Sequence, residues 1–243
     1  MDTNTKNTKY YYNGDIMEEI IKQDDTHHIK ISYHINNRLN EISYYENKKL
    51  HNIDDKPAYI RLDLEGNILI KIYYKEGYCH RDNGEPAFIK YTPKGKIREI
   101  KYYYEGKIGY SPTIKNDVDP THITYYKNST SVKCIYYKSD KYNTYPFQNP
   151  NIPMNVIVDS YLMHRTGDKP GLIKYYKSGE LQMEVYFNKG KLHRYEGFAR
   201  IVYDKNGNIL TANKFIDGRE ITKVNEQISY VKNWSKMFSS RID

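Results

Sequence analysis

Residues 50–77 read LHNIDDKPAYIRLDLEGNILIKIYYKEG, and residues 79–106 read CHRDNGEPAFIKYTPKGKIREIKYYYEG. Laid over each other, His51 meets His80, Pro57 meets Pro86, Ala58 meets Ala87, Gly66 meets Gly95, and Tyr73-Tyr74 meet Tyr102-Tyr103, every offset being 29. His164-Arg165 and His193-Arg194 stand the same 29 apart. A fixed period of this size implies a tandem array in which each unit is one supersecondary element. Anchored on its central turn, the array centres on Asn37, Gly66, Gly95, Ser129, Gly179 and Gly207. An aromatic ring follows each anchor by eight residues: Tyr45, Tyr74, Tyr103, Tyr137, Phe187 and Phe215. Anchor spacings of 29, 29, 34, 50 and 28 place insertions near 108–120 and 138–160. The opening Lys9–Gly14 matches Lys101–Gly106, so a half unit is expected to start the array.

Each unit reads as one β-hairpin. Ala58, Ile60 and Leu62 alternate with Tyr59, Arg61 and Asp63, the period of two of a half-buried strand. After the anchor, Ile68, Ile70, Ile72 and Tyr74 share a face, as do Leu181, Met183, Val185 and Phe187. Between the strands, Asp63-Leu64-Glu65-Gly66, Thr92-Pro93-Lys94-Gly95 and Asp204-Lys205-Asn206-Gly207 suit a type I turn closed by a left-handed residue. Gly66, Gly95, Gly179 and Gly207 adopt that conformation freely, Asn37 is the next best residue, and Ser129 is a poor one.

The composition agrees. Among 243 residues there are 28 Tyr and 28 Ile but only 4 Ala, so β formers abound and the best helix former is scarce. Lys, Asn, Ile and Tyr share A/T-rich codons, which accounts for the skew but not for its phase. A single hairpin is marginal alone, so the expected object is an elongated all-β array of stacked antiparallel hairpins over residues 1–218. Residues 219–243 are expected to cap it. Ile221, Val224, Ile228, Val231, Trp234 and Phe238 form an amphipathic helical stripe, and Asp217 with Glu220 resembles a capping box at its start. No stretch reaches the roughly 20 apolar residues of a membrane-spanning helix. Cys79 and Cys134 are too few for a disulfide framework, so an intracellular, cytoplasmic location is expected.

The pattern Tyr-Tyr-x-x-Gly, His-Arg-x-x-Gly, Pro-Ala-x-Ile-x-Tyr and x-x-x-Gly-x-Ile resembles MORN-type repeats. It is closest to the longer MORN-like variant found in tandem in proteins of giant DNA viruses. The resemblance spans residues 8–218, with its best copies at 50–106 and 161–218. Ordinary MORN units are shorter and carry a Gly pair that this chain lacks. The resemblance implies a hairpin-stacking fold, a scaffolding, protein-contact or lipid-contact role, and no catalytic residue or cofactor. If the chain is viral, it implies the host cytoplasm or the virion.

Candidate chemistry is sparse. His51, His80, His164 and His193 line up on one edge of a stacked array, but adjacent units supply too few ligands for a metal ion. The expectation is that each His-Arg holds the loop between hairpins by bonding its carbonyls. Tyr73, Tyr102, Tyr136, Tyr176 and Tyr186, with Lys71, Lys101 and Lys174, are expected on an outward face, as a surface for protein contact or self-association. The net charge of +8 leaves nucleic-acid binding or packaging as the alternative, through the same rings and cations. Membrane-surface contact by the C-terminal stripe ranks below its use as a lid. The chain has no phosphate-cradling Gly loop, Gly-x-Ser-x-Gly, His-Glu-x-x-His or Cys-x-x-Cys motif, and nothing marks a pair among Glu41, Glu99 and Glu184. A non-enzymatic module is expected.

Overall fold

The computed structural model describes residues 5–82, 84–108, 120–127, 129–136, 164, 165 and 167–221. All regular structure among them is β. The chain opens with four longer strands, β1 (Thr5–Tyr10), β2 (Ile16–Lys22), β3 (His27–Tyr33) and β4 (Leu39–Glu46), followed by the short β5 (Lys49–Leu50). A long hairpin and a short one then alternate. First come β6 (Tyr59–Leu62) with β7 (Ile68–Ile72) and β8 (Tyr74–Lys75) with β9 (Tyr78–Cys79). Next are β10 (Phe88–Tyr91) with β11 (Ile97–Lys101) and β12 (Tyr103–Tyr104) with β13 (Lys107–Ile108). Then follow β14 (His122–Tyr125) with β15 (Val132–Tyr136), β16 (Leu172–Tyr175) with β17 (Leu181–Val185), and β18 (Phe187–Asn188) with β19 (Lys191–Leu192). The last are β20 (Arg200–Tyr203) with β21 (Ile209–Asn213) and β22 (Phe215–Ile216) with β23 (Arg219–Glu220).

The seven long hairpins (β1–β2, β3–β4, β6–β7, β10–β11, β14–β15, β16–β17 and β20–β21) join side by side into one antiparallel sheet in chain order. Each turn works as its residues dictate. Gly66 N–H donates to Asp63 O, the Asp63 carboxylate accepts from the Glu65 and Asn67 amides, and Gly66 holds φ +85°. Asn37 takes φ +57°, and Ser129 keeps the turn bond to Tyr126 O. Beside every long turn the register slips by one residue, a bulge that puts one extra residue into the second strand (Met17, Asn40, Leu69, Arg98, Lys133, Gln182 and Leu210) next to the pairs made by Tyr10, Tyr33, Leu62, Tyr91, Tyr125, Tyr175 and Tyr203.

Three expectations are corrected. Tyr11–Gly14 is no half unit but a full long turn, with Gly14 N–H on Tyr11 O, so the chain opens with a complete hairpin. The Tyr-x-x-Gly and Phe-x-x-Gly segments (Tyr74–Gly77, Tyr103–Gly106, Phe187–Gly190 and Phe215–Gly218) form a second, short hairpin after each of four long ones, and β4–β5 makes a fifth. Their two-residue turns have positive φ throughout: Asn47-Lys48, Glu76-Gly77, Glu105-Gly106, Lys189-Gly190 and Asp217-Gly218. That is the type I′ geometry whose twist matches the strands. Asp217 is therefore a hairpin turn residue rather than a helix cap, and Arg219 and Glu220 lie in β23. Ile221, the first residue of the expected stripe, is exposed and donates its amide to Lys214 O. The rest of the expected helix, the insertions apart from Ile108 and Pro120, and Tyr137 fall outside the described residues.

Cross-strand pairing sets the faces. Ile60 pairs with Lys71 while Tyr59 pairs with Ile72, so the two strands of a hairpin send their apolar sets to opposite faces. One face carries a continuous ladder: Thr8, Glu19, Ile31, Ile42, Ile60, Lys71, Ile89, Ile100, Ile123, Ile135, Ile173, Glu184, Ile201 and Ala212. The other carries Tyr59, Ile72, Phe88, Lys101, His122, Tyr136 and Leu172 in register. Every substantial contact joins neighbouring strands, the two strands of a hairpin, or one short hairpin to the next. The main core gathers Leu50, Ala58, Ile72, Tyr73, Tyr74, Cys79, Ala87, Phe88, Tyr103 and Ile108 with Ile89 and Ile100 of the ladder, and a smaller one holds Tyr186, Ala199 and Ile201.

Candidate functional site

The residues that recur in phase build a seam between successive hairpins. Glu76 N–H donates to His51 Nδ1 (3.1 Å), Glu105 N–H to His80 Nδ1 (3.1 Å), Lys189 N–H to His164 Nδ1 (3.3 Å) and Asp217 N–H to His193 Nδ1 (3.1 Å). Each imidazole thus caps the first turn residue of the next short hairpin. At His80 an accepting Nδ1 places the ring proton on Nε2, which faces Asp82 Oδ1 at 2.9 Å, whereas His193 Nδ1 also lies 3.0 Å from Asp217 Oδ1. In the same turns the glycine amides of Gly77, Gly106 and Gly218 donate to Leu50 O, Cys79 O and Leu192 O.

Arginine closes the other side. Arg81 grips Asp55 through Nε and Nη2 (both 2.7 Å), and Arg194 grips Asp168 in the same way (both 2.8 Å). Each guanidinium lies over a tyrosine, 4.0 Å from the Tyr73 ring centre and 3.8 Å from that of Tyr186. The remaining Nη1 of Arg81, Arg165 and Arg194 donates to Pro86 O, Pro170 O and Phe198 O. Asn52, where the next unit has Arg81, keeps only the carbonyl bond, to Pro57 O. The Arg81 pair holds the Asp55 carboxyl below its usual range, and burial pushes the Tyr73 phenol up. The expectation that His-Arg bonds loop carbonyls therefore holds for arginine, whereas histidine takes an amide instead.

The candidate contact residues do not form one surface. Tyr73 and Tyr186 are buried beneath their arginines, 9% and 8% exposed. Tyr102 is half-buried at the same strand end, and the Tyr176 hydroxyl donates to Tyr203 O. Lys71 belongs to the isoleucine face, whereas Lys101, Lys174 and Tyr136 belong to the opposite one. Lys101 is 2% exposed, with its ammonium 3.0 Å from Glu99 Oε1 and 4.9 Å from the Phe88 ring centre. His122 Nε2 lies 2.8 Å from the same carboxylate oxygen, and its ring stacks on Tyr136. Burial alone raises the pKa of Glu99, but His122 and Lys101 outweigh it and hold the carboxyl at about 2. Burial keeps the Tyr136 hydroxyl and the Cys79 thiol protonated, and both cysteines are free and buried.

Sequence reasoning missed the acidic partners Asp55 and Asp168, although both stand 26 residues before their arginines. It also missed the ladder that contains Lys71 and Glu184, because cross-strand alignment is not written in either strand alone. The Glu41 and Glu184 carboxylates accept from the Tyr59 and Tyr203 hydroxyls. No group of three or more His, Cys, Asp or Glu among the described residues is placed to hold a metal ion, and no helix there is long and apolar enough to cross a membrane. A scan against protein-family models found no match, and a search of curated proteins found none either.

Proposed function

We propose that this chain is a non-enzymatic scaffold or protein-interaction module, a MORN-like array of 29-residue units whose C-terminal stripe closes it as a helix. The resemblance to MORN-like repeats of giant DNA viruses supports this reading and makes a viral origin part of the proposal. One observation carries the functional side. Among the described residues the long hairpins make their substantial contacts with the strands beside them and pack with the short hairpins, and one face carries a long isoleucine row in which Ile89, Ile100 and Ile201 are buried and the others half-buried. A surface of that kind serves contact with another macromolecule. The histidines and arginines of the seam are meanwhile engaged in joining one hairpin to the next. Nucleic-acid binding finds less support, because Lys71 and Lys101 point to opposite faces and Lys101 is buried against Glu99.

Molar mass by light scattering, with and without a short single-stranded DNA, separates the two at about 50 and 300 mM salt. Electrostatic binding to DNA releases counterions and weakens steeply with salt. The expected result is no DNA-dependent shift at either concentration. A shift at low salt that disappears at high salt overturns the reading.

A further inference from the structure

The isoleucine ladder has a charge pattern that its own sheet does not explain. Lys71 interrupts it three strands to one side of Ile123, through Ile89 and Ile100. Glu184 interrupts it three strands to the other, through Ile135 and Ile173. Both are half-buried. Lys71 pairs with no carboxylate among the described residues, its ammonium lying only 5.8 Å from the Tyr91 ring centre. Glu184 accepts the Tyr203 hydroxyl at 2.9 Å and has no lysine or arginine within ion-pair distance there. Half-burying a cation or an anion in an aliphatic row is costly unless a partner compensates it. Six strand spacings, about 29 Å, keep these two from compensating each other within one chain.

We infer that this face binds a second copy of the chain in an isologous dimer whose two-fold axis runs along β14 through Ile123, setting Lys71 of each copy against Glu184 of the other. Rotation about that axis reverses the ladder, so each position meets the one equally far from Ile123 on the opposite side. Ile100 then meets Ile135 next to the centre, and Ile42 meets Ala212 where the overlap stops. Beyond it Ile31, Glu19 and Thr8 of each copy continue the ladder unopposed, Glu19 being paired with Lys6 of its own chain. Every pair is aliphatic except the third, which is Lys71 with Glu184, and symmetry makes that pair twice. A two-fold axis along the ladder would instead oppose lysine to lysine and glutamate to glutamate, a like-charge arrangement that costs free energy. Both copies keep the same twist, as packed sheets require. Eleven strands give a strip about 50 Å long and about 15 Å wide, in which Ile89, Ile100 and Ile201 are already buried within the chain and the other isoleucines are half-buried.

The inference rests on reading the chain as an interaction module and names its partner. The full chain is weighed by light scattering across about 1–100 µM, alongside Lys71→Glu, Glu184→Lys and the double exchange. The wild type is expected to be a dimer. Each single variant is expected to dissociate at least ~100-fold more readily, and the double exchange to restore the dimer. Far-UV circular dichroism confirms that the variants are folded. Independently of any variant, a zero-length carbodiimide is expected to link Lys71 to Glu184 between isotopically light and heavy copies. A monomeric wild type, a dimer indifferent to both single changes, or folded variants that the double exchange does not rescue each overturn the proposal. A monomer that still binds another protein sinks the dimer alone, whereas salt-sensitive DNA binding sinks the module reading itself.

Discussion

The sheet is held together differently at its two ends. Between Thr5 and Glu46 the strands run six to eight residues, and β2 passes to β3 through a tight turn at Gln23–Thr26. From Tyr59 onward the sheet strands are only four or five residues long, and short hairpins with their His and Arg-Asp seam fill most of the described connections. No apolar side chain described before Leu50 is fully buried, whereas the following 60 residues hold most of the core. Ion pairs stand in for it: Lys6 with Glu19 at 2.5 Å, Lys9 with Glu18 at 3.0 Å and Lys30 with Glu18 at 2.7 Å. Their lysines are largely exposed, and on the edge strand β1 such lysines also discourage pairing with another sheet. Long strands cohere through many ladder bonds. Short ones need side chains that reach across to the next unit.

That contrast can be broken most forcefully in the core. Phe88→Ala, at 3% exposure, is expected to cost about 3–5 kcal/mol, and Ile20→Ala in half-buried β2 about 1–2 kcal/mol, both read by urea unfolding. Equal costs would erase the distinction between the two regions.

Acid sharpens it next. The folded pKa of Glu99 is depressed from an ordinary 4.5 to about 2, so its pair stabilises the fold fully above the unfolded value. That contribution, up to about 3 kcal/mol, is lost as pH falls from about 4.5 through about 2. Glu99→Gln should flatten the stability profile in that window. Glu18 and Glu19 are depressed mainly by lysine partners at β1–β3, so their contribution is lost in the same direction on acidification. Salt at about 0.5 M should weaken the pairs with exposed Lys6 and Lys9 more than the Glu99 cluster.

Arg81→Lys tests the seam itself. Lysine keeps the charge but loses the two-pronged grip on Asp55 and the flat stack on Tyr73, an expected loss of about 1–2 kcal/mol. A double-mutant cycle with Asp55→Asn should give a coupling clearly above zero. Additive effects would mean that the seam is decoration.

The turns give the smallest effects. Gly66→Ala meets no atom within 4 Å but strains a residue at φ +85°, for about 1 kcal/mol. Asn37→Gly relieves its positive φ yet removes the side chain that binds the Ile16 amide (2.6 Å) and the Asp15 carboxylate (3.1 Å). It should therefore destabilise by about 0.5–1 kcal/mol. A stabilised Asn37→Gly variant would show that the first two turns are not bound to each other.

Local chemistry explains what was legible in advance. Gly66, Gly95, Gly179 and Gly207 marked the long turns because positive φ is a property of one residue, and strand alternation around Ile60 or Ile70 is a property of a few neighbours. Tyr-Lys-Glu-Gly and Phe-Ile-Asp-Gly carry an equally local signal for the short hairpins, since Gly77 and Gly218 take the positive φ that a two-residue turn requires. Among the seam residues, His51, His80, His164 and His193 were visible as a ladder of one type, while their partners are backbone amides 24 or 25 residues away that no side chain announces.

By itself the sequence determined an all-β chain of hairpins, the placing of six of the seven long turns, and the in-phase return of histidine, arginine and tyrosine. These follow from conformational preferences that act within a few bonds. Folding in three dimensions decided which face each strand shows. A one-residue bulge beside each turn shifts the pairing, and a shift of one residue exchanges the faces of a strand. That is why Ile60 and Ile72, which look alike in the sequence, lie on opposite sides of the sheet, and why Lys71 and Glu184 come to stand at equal distances from Ile123.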